Sequence, residues 1–237
     1  MAEYEGESLA RWPQLNRFNL ADQPHGHTIH AMQQTGFHTW GFVIYRCTYS
    51  DDAAWNRYLA FMHKEIAWSL GVCGTDLLLT QYLDMTVVED PSTLNNALKA
   101  AVRDHFETWV DANQDQEKGG PGWDNPIAQS IPRFRFCIYV DQKCLDTLQK
   151  RVEWEGSSSR SGRSPAVVCA MIDLDCEPGG EGRGGYPDLE GCTREYPGWM
   201  YLSLRMIPGQ ERLTDSRGRI LRPPEIYPEG SHQSMPV

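Results

Sequence analysis

Two adjacent carboxylates, Asp51 and Asp52, follow the apolar run Thr39-Trp40-Gly41-Phe42-Val43-Ile44-Tyr45-Arg46-Cys47-Thr48-Tyr49 and precede Ala53-Ala54-Trp55. Such a pair at a strand-to-helix junction has two uses. It can cap the helix, since Asp is a preferred N-cap residue and negative charge near a helix N-terminus is favourable by roughly 0.3–1 kcal/mol. Or it can grip a cation. The same choice recurs along the chain: Glu89 with Asp90, Asp141, and Asp173 with Asp175 each close an apolar run. Asp173-Leu174-Asp175 is the pair least explained by capping, because glycine and proline follow it rather than a helix. On a strand its two side chains share one face, which suits a guanidinium, a metal or another cation.

Other reactive side chains offer less. His25, His27 and His30 form an H-x-H-x-x-H cluster with His38 beyond it, and imidazole is a common metal ligand. No Cys or acid stands at zinc-like spacing beside them, so a polar arm without metal is the simpler reading. Cys47, Cys137 and Cys169 alternate with large apolar residues inside strand-like runs and read as small core residues rather than nucleophiles. No G-x-S-x-G is present. Gly179-Gly180-Glu181-Gly182-Arg183-Gly184-Gly185 lacks the lysine and hydroxyl of a phosphate loop and carries an acid that would repel phosphate. Basic residues gather as Arg160 and Arg163, and as Arg212, Arg217, Arg219 and Arg222, either as solubilising charge or as phosphate contacts.

Hydrophobic periodicity supplies the elements that must position these groups. Trp55, Tyr58, Leu59, Met62 and Ile66 recur at steps of three and four, predicting a helix from about Asp52 to Leu70, with Gly71 and Gly74 suited to end it. Met85 to Asp90 reads as a second strand, and Asp90-Pro91 as an N-cap followed by proline at the first helical position. Leu94, Ala97, Leu98, Ala101, Val102, Phe106, Trp109 and Val110 predict one continuous helix. Arg133 to Asp141 is a third strand, followed by a short helix around Lys143 to Lys150. Gly156 to Ser164 reads as a flexible linker, Ala166 to Asp175 as a fourth strand, and Gly198 to Leu204 as a strand or the approach to a short helix.

Strands that alternate with helices and are nearly continuous in apolar residues predict an α/β fold: a single domain around a mostly parallel sheet, with an α+β ferredoxin-like arrangement as the alternative. Residues 1–38 read as a flexible N-terminal arm, 39–210 as the α/β domain and 211–237 as an irregular tail. If the strands are parallel, the acids at their ends gather on one electronegative edge, where open α/β sheets bind ligands.

The 237 residues carry a net charge of −10, which disfavours a protein that coats nucleic acid and suits one that binds cationic or small polar ligands. Seven cysteines without CxxC spacing favour a reduced intracellular protein. No secretory leader is apparent, nor any apolar run near the about 18 residues of a membrane span. A cytoplasmic location is the expectation.

The run from Trp40 to Trp55, with Arg133 to Asp141, Val167 to Asp175 and Gly191-Cys192 leading to Gly198-Trp199-Met200, resembles a large, mostly uncharacterised family of filamentous-fungal proteins. The likeness spans roughly residues 39–205. Fungal arginine-containing cyclodipeptide synthases, which join arginine to a second amino acid using aminoacyl-tRNA, belong to or near that group. The resemblance implies arginyl-tRNA and a second aminoacyl-tRNA as partners, and no cofactor or metal, because the amino acids arrive as activated esters. Asp51 and Asp52 match the family's acidic pair, and Asp173 and Asp175 the acids ending its later strand. In the synthases a glutamate stands three residues after the second acid. Trp55 holds that position here, leaving Glu65, three turns along the helix, as the substitute. Asp51, Asp52 and Glu65 are then the catalytic candidates, and Asp141, Asp173, Asp175, Tyr45 and Tyr49 the substrate-binding ones. The competing expectation is a non-catalytic fungal α/β module whose acidic edge binds a basic partner peptide; metal-dependent hydrolysis at the aspartates ranks below both.

Overall fold

The computed structural model describes residues 9, 12–13, 25–35, 39–117, 132–158, 162–174, 198–205 and 207. In chain order they form α1 (Gly26–Thr35), β1 (Val43–Arg46), α2 (Asp52–Cys73), α3 (Asp76–Leu79), a 3-10 turn (Thr80–Tyr82) and β2 (Thr86–Val88). After these come α4 (Pro91–Leu94), α5 (Lys99–Glu117), α6 (Pro132–Arg135), β3 (Phe136–Val140), α7 (Gln142–Gly156), β4 (Val168–Asp173) and β5 (Trp199–Ser203). The five strands make one mixed sheet in the order β2-β1-β3-β4-β5, so the protein has an α/β fold.

β1 lies parallel to both neighbours, Val43 pairing with Thr86 and with Cys137. β4 is antiparallel to both of its own, Asp173 pairing with Phe136 and Ile172 with Trp199. Four strands thus share a direction and β4 alone opposes them. The reason lies in the residues after α7. Residues 162–167 run back alongside that helix, where Arg151 donates to the Pro165 carbonyl at 3.3 Å and the Val168 N–H donates to the Thr147 hydroxyl at 3.1 Å. β4 therefore starts at the edge where β3 ends.

Alternation along the strands builds two cores. Phe42, Ile44, Ile138, Val140 and Met171 meet α1, α2, α3 and α7 on one face, through Ile29, Trp55, Tyr58, Met62, Ile66, Leu78, Leu145 and Leu148. Val43, Tyr45, Cys47, Cys137, Tyr139 and Ile172 meet α4, α5 and α6 on the other, through Leu94, Val102, Phe106 and Phe134. Burying a side chain of this size contributes about 1.5–3 kcal/mol.

Several elements depart from expectation. Part of the N-terminal arm belongs to the core: Ile29 is fully buried in α1, and Leu9 packs in the same cluster. The helix read through Leu94 to Val110 divides at residues 95–98. There the Asn96 N–H donates to the Cys47 carbonyl at 3.0 Å and Asn96 adopts φ 56°, so Leu98 is left exposed. The third strand begins three residues late because Arg133 is in α6, where its buried guanidinium donates to the Asp84 carbonyl at 2.9 Å and the Asp84 carboxylate at 2.7 Å. Gly41 is required where it stands: at φ 125° a Cβ would lie 2.1 Å from the Asp84 carbonyl oxygen.

Candidate functional site

β1 hands the chain to α2 on one face of the sheet, and β2 hands it to α4 and α5 on the other. Connections leaving adjacent strands toward opposite faces open a crevice at their carboxyl ends. Its centre is Arg46. An arginine buried on a strand must find hydrogen-bond acceptors and an anion, and this one finds both. Nε donates to the Thr48 carbonyl at 2.9 Å, one Nη pairs closely with Asp52, and the other lies 3.6 Å from Glu89. The guanidinium carbon sits 4.4 Å from the Tyr49 ring centroid and 5.3 Å from that of Trp55. Arg46 is 7% exposed, Asp52 80% and Glu89 43%: the cation is inside and the acceptors outside. Trp55, standing where the resemblance calls for a glutamate, is one wall of this guanidinium's pocket.

The neighbouring acids cap helices. Asp51, extended at φ −148°, accepts from the Ala54 N–H at 2.8 Å and starts α2. Asp90 accepts from the Ser92 N–H at 2.9 Å and from the Ser92 and Thr93 hydroxyls at 2.6 and 2.7 Å, and those bonds hold its carboxyl down at about 2. The Asp90 N–H in turn donates to the Tyr49 hydroxyl at 2.8 Å, and burial raises that phenol. Asp141 caps α7 through the Cys144 N–H at 3.0 Å and accepts from the Tyr201 hydroxyl at 3.1 Å. Between β1 and β3, whose helices leave on the same face, the Thr48 and Ser50 hydroxyls both donate to Gln142 at 2.8 Å.

Three candidates lie elsewhere. Asp173 stands opposite Phe136, at the amino end of β3. The reversal of β4 therefore puts it on the edge away from Asp51 and Asp52, where it is buried and pairs with Arg135 at 3.2 Å. The expected four-acid rim is corrected to three strand ends. Asp175 lies outside the described residues. Glu65 is 13 residues beyond Asp52, roughly 20 Å down α2 at 1.5 Å per residue, and accepts from Arg205 at 2.8 Å. Tyr45 points away from Arg46 across the sheet. It is fully buried, its hydroxyl is 3.0 Å from Nδ1 of His105, and burial raises its phenol far above the ordinary value.

The thiols fit packing better than nucleophilic attack. Burial pushes Cys47 and Cys169 up to about 12, and Cys137 and Cys144 well above their usual value. His25 is buried against Thr75, with Nδ1 2.8 Å from its hydroxyl, and burial lowers it to about 4. His38 and the side chain of His27 lie outside the described residues. Among the described residues no three His, Cys, Asp or Glu side chains are grouped to hold a metal, and no helix is long and apolar enough to cross a membrane.

Sequence reasoning passed over Arg46, although a charge inside Val43-Ile44-Tyr45-Arg46-Cys47 signals a carboxylate partner by itself. It also passed over Lys99, buried at the start of α5 with Nζ 4.1 Å from the Trp199 ring centroid and 4.8 Å from that of Tyr139. Comparisons with family models, curated proteins and solved structures give no match to this chain.

Proposed function

We propose that this protein is an aminoacyl-tRNA-dependent synthase of arginine-containing cyclodipeptides, acting in the cytoplasm, where its charged tRNA substrates are made. The observation that carries the reading is the Arg46 assembly, in which a buried guanidinium fixes two exposed carboxylates at the crevice between β1 and β2. A carboxylate has about four acceptor sites, so Asp52 and Glu89 keep capacity for a second cation, the guanidinium or α-ammonium of a bound arginyl ester. The resemblance across the β1–α2 junction supplies the substrate class.

The reaction needs proximity and a base. The α-amine of one aminoacyl ester attacks the ester carbonyl of the other; the new C–N bond forms as the ester C–O bond breaks. An edge carboxylate takes the ammonium proton, which passes to the departing ribose oxygen. A second, intramolecular aminolysis closes the diketopiperazine and releases the second tRNA. Asp52 and Glu89 hold the proton-accepting positions in this reading, and Glu65, far down α2, does not take part.

The competing reading, a non-catalytic module with an acidic edge for a basic peptide, is favoured by a different observation: Asp51, Asp90 and Asp141 are each engaged as helix caps. Expression in a heterologous host with mass spectrometry for arginine diketopiperazines separates the two. Wild type should give the product, Asp52→Ala should abolish it, and Asp51→Ala should reduce it in step with the folded fraction. A well-folded wild-type protein that yields none under several conditions leaves the binding module as the answer.

A further inference from the structure

An acidic synthase must still receive an RNA, and the described residues offer one place that suits it. β5 is an edge strand, and its half-buried Trp199 and Tyr201 face the same side as Tyr139 of β3, their two rings 5.7 Å apart and nearly perpendicular. Two lysines converge on these rings from different helices. Nζ of Lys99, the first residue of α5, lies 4.1 Å from the Trp199 centroid and 5.6 Å from that of Tyr201; Nζ of the exposed Lys143, in the first turn of α7, lies 4.7 Å from the Tyr201 centroid.

Cations at a helix N-terminus oppose the peptide dipoles, while anions are welcome there. Cation–π contacts with these rings favour the lysines despite that opposition. The result is a basic and aromatic cluster in a chain of net charge −10, the combination that binds single-stranded nucleic acid through phosphate contacts and base stacking. Asp141 is one acid beside it, its oxygens accepting from Cys144 and Tyr201, and Asp146 follows one turn on, where it accepts from Gln142.

The cluster begins at the amino end of β5, where Trp199 pairs with Ile172, and joins the carboxyl edge that carries the acidic crevice through Tyr201. Tyr201 bonds Asp141, the adjacent Gln142 accepts from Ser50, and Ser50 precedes Asp51 and Asp52. We propose that the single-stranded 3′ end of the aminoacyl-tRNA docks across Lys143, Tyr201 and Trp199 and runs along this edge, delivering its esterified amino acid to the Asp52–Glu89 crevice. This assignment rests on the synthase reading for the identity of the RNA.

The test uses the full chain and a labelled RNA hairpin ending in an unpaired ACCA tail, with a blunt hairpin as the second probe, followed by fluorescence anisotropy over a range of salt. Wild type should prefer the tailed hairpin. Lys143→Glu should weaken that complex by about tenfold at low salt and reduce the salt slope by about one, and Lys143→Met should weaken it in the same direction. Lys150→Glu, the same charge change on an exposed site of α7, should leave binding near wild type. Equal effects of Lys143→Glu and Lys150→Glu, or no preference for the tail, overturn the docking face. Diketopiperazine production measured in parallel keeps the two ideas apart. Product from wild type with unaltered RNA binding by Lys143→Glu removes this face and leaves the synthase. Tail-selective, Lys143-dependent binding by a folded protein without product keeps the face and removes the synthase.

Discussion

The two edges of the sheet use the same charges in opposite arrangements. At the carboxyl edge a buried arginine, Arg46, holds carboxylates that stand in solvent. At the amino edge the carboxylate is the buried member: Asp173 is 2% exposed, Arg135 beside it 14%, and Arg103 donates to the Asp173 carbonyl at 3.2 Å. An ion pair whose acid is buried locks strands together, since neither partner can exchange its bond for water. A pair whose acid is exposed keeps acceptor sites that a ligand can use. The first arrangement suits structure, the second recognition, and burial rather than residue type tells them apart.

The largest effect belongs to the amino edge. Arg135→Met strips a buried carboxylate of an ion-pair partner and should cost about 3–5 kcal/mol in urea unfolding. If Asp52→Asn costs as much, the contrast between the edges fails.

A buried neutral group sharpens the same point. His25, lowered to about 4 by burial, binds its proton more weakly in the folded chain than unfolded. Its contribution is therefore complete above about pH 6.5 and is lost as pH falls from there toward about 4, an effect of order 1–3 kcal/mol. His25→Asn suits the backbone at φ 55° and should flatten that part of the stability–pH curve relative to wild type.

Smaller again is Asp51→Ala, the loss of one N-cap, expected to cost about 1 kcal/mol and to lower the thermal midpoint without touching the Arg46 pair. Smallest in stability is Asp52→Asn. The lost carboxylate stands in solvent and Glu89 stays beside Arg46, so the change should cost less than about 1 kcal/mol, and on the proposed synthase reading it removes cyclodipeptide formation. A large fall in stability there would make Asp52 a structural residue like Asp173.

Periodicity located α2, the body of α5 and strands β1 to β4, because each buries a face whose spacing is written locally, while Gly198 to Leu204 reads equally as a strand or a helix approach and proves to be β5. Strand direction is not local. Val168 to Asp173 reads the same whichever way it runs, and only the return of the preceding residues along α7 reverses it, carrying Asp173 off the rim. The break at Asn96 was hidden for a related reason: Leu94, Ala97 and Leu98 keep helical spacing, and the competing bond comes from Cys47, distant in sequence. The helical turns of α1 were obscured by polar residues around Ile29 and Met32. The acidic ends of β1, β2 and β3 were legible as a set, whereas the arginine that organises two of them was overlooked within its own apolar strand.

The position of β1 also sets an order of events for the nascent chain. Its Val43 meets Thr86 on one side and, about ninety residues after itself, Cys137 on the other. Closing the second loop costs more chain entropy and comes later in synthesis. Until β3 emerges, a central strand of Val43, Ile44 and Tyr45 has one unpaired edge, the kind of surface on which chains associate wrongly. Arg46, in the last position of that strand, places a charge at the end of an otherwise apolar edge, the kind of residue that discourages such association.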